Sequence, residues 1–207
     1  MEKAVENHRR YTLEEYFRLE AESPDKHEFR IGEIINMAGG TPEHSLITAN
    51  VIRELGNLLK GSPCRVYESN LRIQIARKKL YSYTGTTVTC GQPILSDLDG
   101  LGKTFTNPRL VVEVLSPSTE SYDRTRKFDR YRELESFQEY VLVEQDMPRV
   151  ETRYRHPDGV WRIDFALGLE SSIVLPSLSI SLPLAEIYAG IAFPPADETS
   201  EEKQDDK

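Results

Sequence analysis

The chain has 207 residues, of which 38% are hydrophobic and 29% charged, a balance that fits a globular protein of one domain, or at most two, with a substantial core. Of the net charge of −8, −4 belongs to the tail from Asp197, where six acids face only Lys203 and Lys207. The mildly acidic remainder argues against broad non-specific affinity for nucleic acid, while Arg124, Arg126, Lys127, Arg130 and Arg132 leave room for a local basic surface.

No apolar run approaches the ~20 residues of a membrane helix, and the charged start MEKAVENHRR leads into no signal-peptide core. A cytoplasmic protein that does not engage membranes is expected. Cys64 and Cys90 have neither CxxC spacing nor nearby paired histidines, so buried free thiols are expected rather than a disulfide framework or a zinc site.

In chain order, residues 11–22 place Leu13, Tyr16, Phe17 and Leu19 at helical spacing behind Thr12 as cap. Residues 27–39 predict a hairpin turning at Gly32, read as an appendage before the core. Thr41-Pro42-Glu43-His44 opens a helix striped by Ile47, Val51, Ile52, Leu55, Leu58 and Leu59, and Gly61 closes it. Residues 65–76 form a strand interrupted near Ser69-Asn70, Arg77-Lys78-Lys79 a hairpin tip, and residues 81–90 the partner strand. Gly85 in the middle of that strand marks a bulge, a bend or a close approach. Residues 110–115 and 139–145 are buried strands joined through a helix, which predicts a parallel crossover. Residues 150–155 and 160–165 form a meander around the turn His156-Pro157-Asp158-Gly159, and residues 183–191 a short helix. The whole reads as one α/β domain over residues 1–193, a mixed central sheet flanked by helices with hairpins at both ends, followed by a disordered acidic tail over residues 194–207.

The chemistry concentrates in residues 109–131, RLVVEVLSPSTESYDRTRKFDRY. Glu113 shares a strand face with Val111 and Leu115, where an ionised carboxylate is costly unless a cation or several donors meet it. After a cap at Ser118 or Thr119, Asp123 and Lys127 fall at i and i+4 on one helix face. This triad supports two readings: a Mg²⁺ site that positions water beside a phosphodiester, or a structural ion pair between strand and helix. His44, beside Glu43 at a helix start, is the one histidine kept as a supporting residue. The stretch from Asp97 to Thr104 fails as a phosphate-binding loop because Asp97 stands where the first glycine belongs, and it lacks the ligand series of a calcium loop.

The series Thr12-Leu-Glu-Glu-Tyr16, His27-Glu28-Phe29, Ile31-Gly32-Glu33, Glu43-His44, Glu113-Val-Leu-Ser-Pro-Ser-Thr119, Asp123, Lys127, Tyr131, Glu139-Tyr-Val-Leu142 and Leu184-Ala-Glu-Ile-Tyr188 resembles the Uma-type putative restriction endonuclease family, a branch of the PD-(D/E)XK nuclease superfamily. The resemblance covers nearly the whole chain. It implies a restriction-endonuclease-like fold and a Mg²⁺-dependent DNA-cleaving site, with Glu113 as metal carboxylate and Lys127 as a lysine moved from the strand onto the helix. One departure stands out. Where the family carries Pro-Asp after a tyrosine-rich run, this chain has Thr84-Gly85, so the first metal carboxylate is missing at Gly85, with Glu68, Asp97 and Asp99 as candidate substitutes away from the motif position. The resemblance therefore implies an endodeoxyribonuclease impaired at its metal site, or alternatively an inactive nuclease fold that binds nucleic acid or protein. A homodimer is expected through residues 11–22 or the terminal hairpins, whose apolar faces need cover.

Overall fold

The computed structural model describes residues 9–37, 39–76, 80–100 and 102–193; the basic tip at residues 77–79 and the acidic tail lie outside them. Helix α1 (Leu13–Glu22) begins with a capping box: Thr12 Oγ1 accepts from the Glu15 amide, and Glu15 accepts from the Thr12 amide. Strands β1 (His27–Arg30) and β2 (Glu33–Asn36) form the expected hairpin, turning through Ile31 and Gly32 at positive φ. Helix α2 (Pro42–Leu58) is capped by Thr41 and carries proline in its first turn. Of its predicted stripe, Ile47, Val51, Leu55 and Leu59 are buried, whereas Leu58 is exposed.

Next come β3 (Cys64–Tyr67), β4 (Arg72–Ala76), β5 (Leu80–Tyr83), β6 (Thr86–Cys90), β7 (Thr104–Phe105) and β8 (Leu110–Val114). A helical run follows, made of α3 (Glu120–Tyr122), a π-helical turn (Asp123–Lys127) and α4 (Phe128–Tyr131). The chain ends with β9 (Glu139–Val143), β10 (Arg149–Arg155), β11 (Trp161–Leu167), β12 (Ser172–Leu175), β13 (Ile180–Pro183) and α5 (Leu184–Ile187).

Two mixed sheets hold the molecule. One has the order β2-β1-β5-β4-β7, the other β11-β10-β9-β8-β6-β3, and β12-β13 stands as a separate hairpin. The pair β8/β9 is parallel, as the crossover predicted, and so is β4/β7. The predicted interruption near Ser69-Asn70 is a change of sheet, because β3 lies in the six-stranded sheet and β4 in the five-stranded one. The partner strand divides in the same way: β5 and β6 part at residues 84–85. The N-terminal hairpin is not an appendage, since Phe29 pairs with Tyr81 and Arg30 with Leu80.

Burial explains where the site falls. On one face of β8, Val112 and Val114 pack with Ile47, Val51 and Leu55 of α2. On the other, Val111 and Leu115 pack with Phe128 and Tyr131, and with Ile73, Ile75 and Leu80 of the five-stranded sheet. Glu113 projects on this second face, between the helical run and the other sheet. The expected free thiols are corrected: Cys64 and Cys90 are directly opposed on β3 and β6 and form a disulfide, both half-buried.

Candidate active site

Every residue of β8 is buried, including Glu113 at 7% exposure. Lys127 meets it from the helical run, its Nζ 2.8 Å from Glu113 Oε1 and 3.4 Å from Asp123 Oδ1. The strand alternation and helical register therefore bring these three residues together as predicted. The local helix differs from the expectation. Thr119 stands at the N-cap with no side-chain cap hydrogen bond, and Asp123 and Lys127 bound a π-helical turn, a widened turn often found at functional sites.

A fourth member was missed by sequence reasoning. Glu28, buried on β1, places Oε1 3.7 Å from Lys127 Nζ and accepts from the Ser82 hydroxyl. Its other oxygen accepts from Arg30, at 2.7 Å from Nε, and the Arg30 guanidinium lies 3.6 Å over the Tyr122 ring. The available signal was the His27-Glu28-Phe29 segment, with a carboxylate next to a core phenylalanine. A second buried network missed from sequence joins Arg72 to Glu20 and Asp99.

The electrostatics follow from burial. Desolvation raises the Glu113 carboxyl to about 7, with Asp123 and Glu28 adding to the rise and Lys127 opposing it. For Lys127, burial pulls downward, but the carboxylates of Glu113, Glu28 and Asp123 outweigh it and hold the ammonium well above its ordinary value. His44 sits nearby at the start of α2, its Nε2 3.1 Å from the Val114 carbonyl. Burial lowers its pKa, against that carbonyl and Asp123, so the ring is neutral at pH 7 and donates to the strand beside Glu113.

Gly85 faces the site. Its amide is 3.4 Å from Glu113 Oε2, and a Cβ there would meet the Val112 carbonyl oxygen at 3.1 Å. The backbone of the motif position is thus adjacent to Glu113, while a side chain there would start toward the Val112 carbonyl and Thr48 of α2. The candidate substitutes do not fill it: Asp99 is held by Arg72 and by the Gly102 and Lys103 amides, while Glu68 and Asp97 are exposed in loops.

Mg²⁺ requires near-octahedral oxygen ligation, commonly from one or two carboxylates and water. Glu113 Oε1 is buried with no hydrogen-bond donor aligned on it, although the Lys127 ammonium is close. Among the described residues, no three His, Cys, Asp or Glu side chains are arranged to hold a metal. The cation among Glu113, Asp123 and Glu28 is the lysine itself. This donor set suits an ammonium and does not fit Mg²⁺.

Comparison with known proteins supports the chain's ancestry. The family model described as "Uma2: Putative restriction endonuclease" matches residues 13–185. Two uncharacterized proteins of Synechocystis sp. are similar in sequence: slr1290 is 37% identical over 183 residues, covering 87% of this chain and 92% of that protein, and sll1609 is 32% identical over 169 residues, covering 82% and 94%. A crystal structure from Anabaena variabilis, titled a putative nuclease belonging to DUF820, superposes with a TM-score of 0.69 at 18% identity, covering 86% of this chain and 97% of that one. At that identity the likeness shows a shared fold. No helix among the described residues is long and apolar enough to cross a membrane.

Proposed function

Because the chain belongs to the Uma2 family of putative restriction endonucleases, we propose that it is a DNA-directed endonuclease whose hydrolytic site, around Glu113 and Lys127, is impaired by Gly85. In this reading Glu113 would be the one metal carboxylate that remains, Lys127 would orient water or stabilise charge on the phosphodiester, and Asp123 and His44 would hold that pair in place. Mg²⁺ would be the ion of the intact site, which the residues present, short of one carboxylate, hold poorly or not at all. The observation that carries the reading is the Gly85 amide 3.4 Å from Glu113 Oε2: the position that would supply a second carboxylate is beside the first, and empty of charge. Wild-type cleavage is accordingly weak or nil.

The reading places the protein in the cytoplasm with its DNA, and as a homodimer. A second reading, a nuclease fold that only binds nucleic acid or protein, is favoured by the closed ion network, in which all three carboxylates are turned onto Lys127.

The test is calorimetric Mg²⁺ titration together with nicking of supercoiled plasmid, comparing wild type with Glu113→Ala. Weak Mg²⁺ binding and slow nicking, both abolished by the substitution, support an impaired nuclease. DNA binding without nicking or metal binding supports the second reading. Nicking that persists in Glu113→Ala would remove the assignment of this site.

A further inference from the structure

Strand β11 is one edge of the six-stranded sheet, paired with β10 from Arg155–Trp161 to Arg149–Leu167. Its residues Trp161, Ile163, Phe165 and Leu167 share a face. Trp161 packs against Phe128 and Phe137, but Ile163, Phe165 and Leu167 are 63%, 62% and 58% exposed. The opposite edge, β3, has four residues and no exposed large apolar side chain. A long apolar row on an uncovered edge invites another strand.

The backbone is oriented for one. His156 donates to the Val160 carbonyl at 2.9 Å and Gly168 to Pro148 at 2.8 Å. Antiparallel alternation then turns Arg162, Asp164 and Ala166 toward β10, and the amides and carbonyls of Trp161, Ile163, Phe165 and Leu167 away from it. In agreement, the Phe165 amide is taken by its neighbour's Asp164 Oδ1 at 2.8 Å.

We infer that this edge pairs with the same edge of a second copy of the chain, antiparallel about a two-fold axis at Ile163. Charge selects both the partner and the register. With the axis at Ile163, Arg162 faces Asp164 of the partner subunit and Asp164 faces Arg162 of the partner subunit, while Trp161 and Phe165 meet across the axis on the apolar face. Moving the axis one residue forward sets Asp164 against itself, and one residue back sets Arg162 against itself; both oppose like charges. The present exposed contact of Arg162, to Asp158 at 2.9 Å, is readily exchanged. This inference rests on the homodimer in the proposed function and is independent of the chemistry at Glu113.

Sedimentation velocity of the full chain across micromolar concentrations tests it, with circular dichroism to confirm folding. The wild type is expected to be a dimer, and Phe165→Asp and Ile163→Lys monomers. Arg162→Asp and Asp164→Arg each raise the dimer Kd by about tenfold or more, and the two together restore it. A monomeric wild type overturns both this inference and the homodimer, leaving the face to another partner. A dimer that survives Phe165→Asp and Ile163→Lys overturns the edge alone, and a double reversal no better than either single change overturns the register.

Discussion

Lys127 is the residue on which the site's stability turns, because among the described residues its ammonium lies within reach of Glu113, Asp123 and Glu28 together. Replacing it with Met leaves three buried acids facing one another. Urea unfolding of Lys127→Met is expected to lose about 3–5 kcal/mol, the usual result of removing one partner from a buried ion pair; a loss below 1 kcal/mol would show that the network is not closed. Glu113 governs the pH response. Its folded pKa is raised to about 7 from 4.5, so the stability it contributes is fully present below 4.5 and is lost as pH rises through 7. In metal-free buffer the stability of Glu113→Gln relative to wild type should rise by about 3 kcal/mol between pH 4.5 and 8; a flat difference would contradict the buried, partly protonated carboxyl. At Gly85 no positive φ demands glycine, but an added Cβ meets the Val112 carbonyl oxygen at 3.1 Å. Gly85→Asp is therefore expected to destabilise the metal-free protein by about 1–3 kcal/mol through crowding, and to gain more melting temperature from Mg²⁺ than the wild type does.

At the scale of elements, the disulfide between Cys64 and Cys90 ties edge strand β3 to β6, the strand that starts beside Gly85. It closes a span of 26 residues, so reduction, or paired Cys→Ser replacement, should lower unfolding free energy by about 3 kcal/mol, checked by melting with and without dithiothreitol. No change on reduction would mean that the bridge does not restrict the unfolded chain as its span requires. The bridge was not legible from two isolated cysteines, because only the β3/β6 register sets them opposite each other. The Glu113–Lys127 pair was legible, since strand alternation and helical spacing are local properties. Glu28 was not, as its approach depends on β1 joining β5 across some fifty residues, and Phe29 and Ile31 alone made that hairpin look self-contained. The sheet changes at residues 68–71 and 84–85 were visible only as an interruption and an awkward glycine. Helix α1 closed a question left open by its pattern: Tyr16, Phe17 and Leu13 are covered within the chain by Phe29 and Tyr81, so the exposed apolar row on β11, and not α1, is a face open to a partner.

For the whole molecule, the two sheets and the helical run enclose one acidic cluster around one lysine, in a fold shared with a nuclease-titled structure. On the proposed reading, this site would hydrolyse DNA were it not one carboxylate short at Gly85. The proposed dimer through β11 is separate from that reading, since the edge and Glu113 belong to different strands of the sheet. The most direct measurement is the rate of supercoiled-plasmid nicking in Mg²⁺ by wild type, Gly85→Asp and Gly85→Asp with Glu113→Ala, each shown to be folded. Restored coordination predicts a rate at least tenfold above wild type in Gly85→Asp and its loss in the double variant. A folded Gly85→Asp protein that neither binds Mg²⁺ nor nicks DNA, or nicking that survives removal of Glu113, would contradict an impaired nuclease site at Glu113.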